Sequence, residues 1–141
     1  MSKASTAGWI IVFGVTVFAA VGGARGQGDV DCKDPQTQLD MTICASRDWQ
    51  DADAELNAAY KAAMIEMQQT DSALPDALKG AADTLRAAQR DWIPFRDKAC
   101  AAYGFLARGG TMEPMLVANC KTDLTRQRTK QLQELAKGLG N

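Results

Sequence analysis

The sequence predicts an all-α protein: an up-down-up bundle of three helices, stapled by two disulfides and preceded by a cleaved signal peptide. Three observations predict this. The stretch Cys44 to Met67 holds no Gly and no Pro, and small or apolar residues recur at Cys44, Ala52, Leu56, Tyr60, Met64 and Met67. Those steps lie along one face of an α-helix. Helix-favouring Ala, Leu, Gln, Arg, Lys and Met are plentiful, and β-branched residues are few after position 30. Finally, 4 cysteines follow an apolar N-terminal run in a chain of 141 residues that holds no histidine.

The chain opens on residues 1–26, which read as a signal peptide. Lys3 gives a weakly positive start, Trp9 to Val21 is an apolar run, and small residues follow at Gly22, Ala24 and Gly26. The run is short for a membrane span of roughly 20 residues but suits the apolar region of a signal. An uncleaved anchor is the competing reading. Cleavage after Ala24 or Gly26 leaves one mature domain over residues 29–137, periplasmic or secreted, with no membrane attachment. Asp29-Val30-Asp31 before Cys32 is unlike the small apolar residues that precede a lipidated cysteine.

Export makes disulfides the natural state of an even cysteine count. The pairs Cys32 with Cys44 and Cys100 with Cys120 close short loops, each worth roughly 2–4 kcal/mol in the chain-entropy model. All four lie near one pole of the predicted bundle, so crossed pairings remain open. Zinc is disfavoured, since C-x-x-C spacing and histidine are both missing. No cofactor or metal is expected.

The helices follow in order. Asp34-Pro35 with Thr37 marks the start of the first, expected over about Thr37 to Gln68. Gln69 to Pro75 breaks it, and Asp71 or Ser72 is placed to cap what comes next. The second is expected from Pro75 to Tyr103, with Leu78, Leu85, Ala88, Trp92, Phe95 and Ala99 on its apolar face and a kink near Arg90 caused by Pro94. Trp92 is expected as its central aromatic, facing Leu56 or Tyr60. A loop from Phe105 to Thr111 carries Gly109-Gly110. The third helix is expected from Met112 to Lys137, its stripe running through Met115, Leu116, Cys120, Leu124, Arg128, Leu132 and Leu135. Arg128 would lay its stem over the core with its charge in water.

Charge narrows the function classes. The formal net charge is −1, so no global basic field draws in nucleic acid. The missing histidine removes the commonest general base and rules out a Ser–His or Cys–His nucleophile pair within the chain. No catalytic residue is assigned, and the chain is not expected to be an enzyme. The acids Asp48, Asp51, Asp53 and Glu55 could suggest a carboxylate pair or a calcium site. Their spacing turns Asp48, Asp51 and Glu55 outward on one helical face, with no apolar pocket and no ligand loop. A solvated acidic face is the plain reading, and steering of a basic partner the functional one. Asn57 and Arg96, close to the core face, are placed to hydrogen-bond between the first two helices.

Read together, several segments resemble a known family. CKDPQTQLDMTICA, DADAELNAAY, LRAAQRDWIPFRDKAC, a Gly-rich loop and a final Cys before TRQRTKQL resemble the N-terminal domain of the lysozyme inhibitor LprI family, over about residues 32–135. The matching motif residues are Asp53, Leu56, Asn57, Tyr60, Trp92 and Arg96, which read as structural. Met41-Thr42, where the family usually has Met-Asn, and Pro94 depart from the pattern. The resemblance implies an exported, all-helical, disulfide-bonded bacterial domain that binds a protein partner, a basic lysozyme. On that basis Asp48, Asp51 and Glu55 would steer the encounter. Arg108, on the mobile Gly-rich loop, would reach the carboxylates of the enzyme's cleft. The alternative is a non-enzymatic interaction module of the cell envelope with no lysozyme target.

Overall fold

The structure, a computed structural model, describes residues 30–138. The expected signal peptide and its cleavage point lie outside the described residues. Within them the chain forms α1 (Gln38–Ala73), α2 (Ala81–Gly104) and α3 (Glu113–Ala136), with single 3-10 turns at Asp76–Leu78 and Phe105–Ala107. Both short-loop disulfides are present, Cys32–Cys44 and Cys100–Cys120, and the described residues hold no free cysteine.

The start of α1 is closed by its own side chains. Thr37 Oγ1 accepts the Asp40 N–H at 3.1 Å, and the Asp40 carboxylate accepts the Thr37 N–H at 3.0 Å. This reciprocal cap satisfies donors that the first turn leaves open. α1 runs beyond the expected Gln68 to Ala73, because nothing in Gln69 to Ala73 stops a helix. The stop is Pro75, which forces Leu74 into extended backbone at ψ 149°.

α2 begins later than expected, at Ala81 rather than Pro75. Gly80 adopts φ 138°, a conformation reserved for glycine, and turns the chain into the helix. Asp71, still on α1, caps this start from nine to eleven residues upstream. Its carboxylate accepts the N–H groups of Gly80, Ala81 and Ala82 at 2.8, 2.8 and 3.0 Å. Those bonds, Ala82 foremost, hold the Asp71 pKa below its ordinary value. Pro94 sits inside α2 without ending it.

Cross-helix contacts give the direction of each helix. Gln38 meets Met115 near the starts of α1 and α3, and Glu66 approaches Gly138 near their ends. The two helices are therefore parallel. α2 runs back alongside the pair, with Asp53 against Arg96 and Asp71 against Ala82.

α1 and α3 share the most extensive interface. Its buried positions are small: Ala45, Ala52, Ala59 and Ala63 on α1, and Ala118, Thr122, Thr125 and Thr129 on α3. Small side chains let helix axes come close. The threonines can be buried because their hydroxyls are used. Thr122 donates to the Ala118 carbonyl at 3.1 Å and Thr129 to the Thr125 carbonyl at 2.9 Å. The lower end of this seam, at Ala59 and Ala63, joins Leu56, Leu85 and Leu132 in the main apolar cluster, flanked by Tyr60, Met64, Met67 and Trp92.

Two expected stripes are corrected by this packing. On α2 the buried line is Ala82, Leu85, Gln89, Arg96 and Cys100, with Trp92 half-buried beside it. Leu78 and Phe95, expected inside, are 67% and 61% exposed, and Ala88 is exposed too. The face is rotated because α2 packs its polar long side chains against α1 and α3. On α3 the threonine line replaces Met115, Leu116, Cys120 and Leu124, which are only half-buried, and Leu135 is exposed. Arg128 behaves as expected in part. Its stem is half-buried while Nε donates to Gln89 at 3.1 Å and Nη1 to Gln131 at 3.1 Å. Burial lowers its pKa.

Two predictions follow the packing and the cap. Ala63, 0% exposed in the seam, has no room for a larger side chain, so Ala63→Leu should cost about 1–3 kcal/mol or more, read as a lower urea midpoint. For Asp71 the folded pKa lies below the unfolded one. Its contribution is present above the unfolded carboxylate range and is lost as pH falls through the folded value. The urea midpoints of wild type and Asp71→Asn should therefore differ at about pH 6 and converge at about pH 2.

Candidate functional site

Three of the motif residues, Asp53, Trp92 and Arg96, gather at one level of the bundle, where α1, α2 and α3 meet. Arg96 is the centre. It is 5% exposed, a charged side chain inside the fold. Its Nη1 donates to Asp53 at 3.1 Å and lies 3.4 Å from Thr125 Oγ1, and its Nε donates to the adjacent Asp97 at 3.0 Å. The guanidinium carbon lies 5.5 Å from the Trp49 ring centroid and 5.2 Å from that of Trp92. Buried charge survives only where it is paired and hydrogen-bonded. Here two carboxylates, a hydroxyl and two π-faces share the task.

The cluster extends to the surface through Lys121. Its ammonium pairs with Asp97 at 3.3 Å and sits 4.5 Å from the Trp49 ring centroid. Burial alone would raise the Asp97 pKa. The hydrogen bonds and charges of Arg96 and Lys121 outweigh it and hold the value low. Trp49 and Lys121 were not singled out in the sequence. Trp49 could have been, since it stands four residues after Ala45 and three before Ala52, in step with the buried face.

The remaining motif residues divide. Leu56 is buried in the core cluster, and Tyr60 and Trp92 pack against it. Trp92 is thus a flank of the core rather than its fully buried centre. Asn57 is exposed and bonds only to Asp53, one helical turn away, at 3.2 Å. The expected bridge from Asn57 to the second helix is carried by Asp53 instead. Asp53, on α1 with the acids, belongs to the Arg96 cluster.

The two surface features are separate. Asp48, Asp51 and Glu55 are all exposed along α1. No group of three or more potential metal ligands is brought together among the described residues. Arg108 lies at the turn between α2 and α3 with its side chain 64% exposed. It is less free than a mobile loop would make it. Nη1 pairs with Glu113 at 2.5 Å, Gly109 N–H donates to the same carboxylate at 2.9 Å, and the guanidinium lies 4.6 Å from the Phe105 ring centroid. The Gly109 N–H and Arg108 hold the Glu113 pKa below its ordinary value.

The same frame of two disulfides, buried Arg96 with its half-exposed partner Asp53, and flanking tryptophans extends over the stretch matched by one family model, lysozyme inhibitor LprI, at residues 31–132. The chain belongs to the LprI family. It is also 48% identical over 118 residues to an uncharacterized protein of Rhizobium meliloti (strain 1021), covering 82% of this chain and 85% of that protein. No solved structure matches it. Within this LprI domain Asp53 and Arg96 tie α1 to α2, and Arg96 reaches Thr125 on α3.

Removing Arg96 should show that role. Arg96→Met leaves the part-exposed Asp53 and Asp97 without their shared partner and loses the contacts to the Trp49 and Trp92 rings, and should cost about 1–3 kcal/mol. Adding Asp53→Leu removes the stranded carboxylate and should recover part of the loss. Urea unfolding of the wild type, single and double variants measures both.

Proposed function

We propose that this chain is an exported binding protein that inhibits a lysozyme-like muramidase without chemistry of its own. The observation that carries this reading is membership of the LprI lysozyme inhibitor family. The two disulfides agree with a life in an oxidising compartment, periplasmic or extracellular. No helix among the described residues is long and apolar enough to cross a membrane.

The surface offers two elements suited to the task. C-type lysozymes are commonly basic, and Asp48, Asp51 and Glu55 present exposed negative charge to such a partner. Charges of this kind act at long range, raising the rate of productive encounter more than the lifetime of the complex. Arg108 acts at short range, where a cation can meet the two carboxylates that a glycosidase holds around its scissile bond.

The test is binding kinetics with a C-type lysozyme at two salt concentrations. Neutralising Asp48, Asp51 and Glu55 together should lower the association rate by about tenfold at low salt and flatten its salt dependence, with the dissociation rate little changed. Arg108→Ala should mainly raise the dissociation rate. No binding by the wild type at micromolar concentration to any lysozyme class would defeat the inhibitor reading in favour of an envelope interaction module.

A further inference from the structure

We infer that the turn joining α2 to α3 enters the substrate cleft of the partner enzyme, with Phe105 and Leu106 forming the apolar contact and Arg108 the ionic one. This rests on the muramidase reading and names the surface that would serve it. Phe105 is 62% exposed and Leu106 75%, and Tyr103 and Met112 on either side are 49% and 46% exposed. Single exposed apolar residues are ordinary on a soluble protein. Four large ones around one tight turn are a concentration that marks a contact surface.

The turn is built rather than loose. Gly104 is buried, and a Cβ there would lie 2.6 Å from Val117 Cγ2, so the end of α2 presses directly on α3. Cys100–Cys120 ties the same two helices just below. The Arg108 N–H bonds the Phe105 carbonyl at 3.2 Å, and the Gly110 N–H bonds the Ala107 carbonyl at 2.9 Å. Glu113 braces both Arg108 and Gly109. A surface ordered before binding loses less entropy on docking.

Charge and shape select the occupant. Consecutive side chains this exposed on a one-turn helix project outward, and a projection fits a concave site. Arg108 stacks beside Phe105, and Glu113 engages one of its terminal nitrogens. The rest of the guanidinium is left to face a cleft rich in carboxylates. Aromatic residues and arginine are enriched at protein interfaces relative to the rest of the surface. A lipid surface would gain one cation, too little for stable electrostatic adsorption.

The experiment compares wild type, Phe105→Ser/Leu106→Ser and Arg108→Ala. It measures affinity for a C-type lysozyme, the pattern of inhibition, and displacement by a short chitin oligosaccharide that fills the cleft. Wild type should inhibit competitively and be displaced by the saccharide. The double variant should bind at least about a hundredfold more weakly with an unchanged urea midpoint, and Arg108→Ala should lose affinity as well. If wild type binds and the double variant binds equally well, the turn is not the docking surface, while the inhibitor reading stands. If the saccharide fails to displace wild type, the contact lies outside the cleft and the inference is overturned. If wild type binds no lysozyme, both readings fall together. Self-association or vesicle adsorption abolished in the double variant, with lysozyme affinity intact, would reassign the turn to a second copy or to a lipid surface.

Discussion

The close approach of α1 and α3 along a seam of alanines and threonines is the constraint from which the rest of the molecule follows. Two parallel helices cannot be joined by a short loop, so the chain must return along the whole length of the pair, and α2 is that return. Because the seam is made of small residues, it leaves little space for large apolar side chains at its upper level. The bulky core is displaced to the level of Leu56, Leu85 and Leu132. Above it, the space between the three helices is filled by Arg96 and the rings of Trp49 and Trp92.

A charged residue in that place is an unusual filler. A buried ion pair adds little net stability over well-packed apolar groups of the same volume. What it adds is a geometric demand. Arg96 is satisfied only when Asp53 on α1, Asp97 beside it and Thr125 on α3 are all in register. A slip of α1 by one turn would take Asp53 away from the buried guanidinium, and a slip of α3 would take Thr125 away. Asp53 and Arg96, two residues of the family motif, are therefore spent on register.

How much of this was legible in the sequence depends on which physical signal each element sends. The three helices, the loop-length pairing of the cysteines and the cap at Thr37 were legible because Pro, Gly and capping residues act locally. The extent of α1 beyond Gln68 and the start of α2 at Ala81 were not. Asp71 was legible as a cap for the second helix, but not that it would cap Gly80, Ala81 and Ala82 from inside a longer α1. The buried face of α2 was misplaced by the same logic. Gln89 and Arg96 count as polar in any periodicity, and only their partners on α1 and α3 make them interior. Thr122, Thr125 and Thr129 were missed because a hydroxyl bonded to the preceding turn is sterically small and chemically quiet, yet reads as polar. Of the surface groups, the outward turn of Asp48, Asp51 and Glu55 followed from spacing alone. The exposure of Phe105 and Leu106 did not, since apolar residues at a helix end are ordinarily taken for core.

An odd number of antiparallel and parallel helices also leaves an electrical remainder. Each helix carries about half an elementary charge of positive sign at its N-terminus and the opposite at its C-terminus. In a bundle of four alternating helices these dipoles cancel. Here α1 and α3 point the same way and α2 offsets only one of them, so a single helix's worth of dipole survives along the bundle axis. Its positive end lies at the pole where α1 and α3 begin, the pole that also carries the α2–α3 turn. Asp40 and Glu113 stand in the first turns there and temper it at contact range. The backbone itself thus gives the domain a polarity that no count of charged side chains reveals, and it favours approach of that pole towards negative charge.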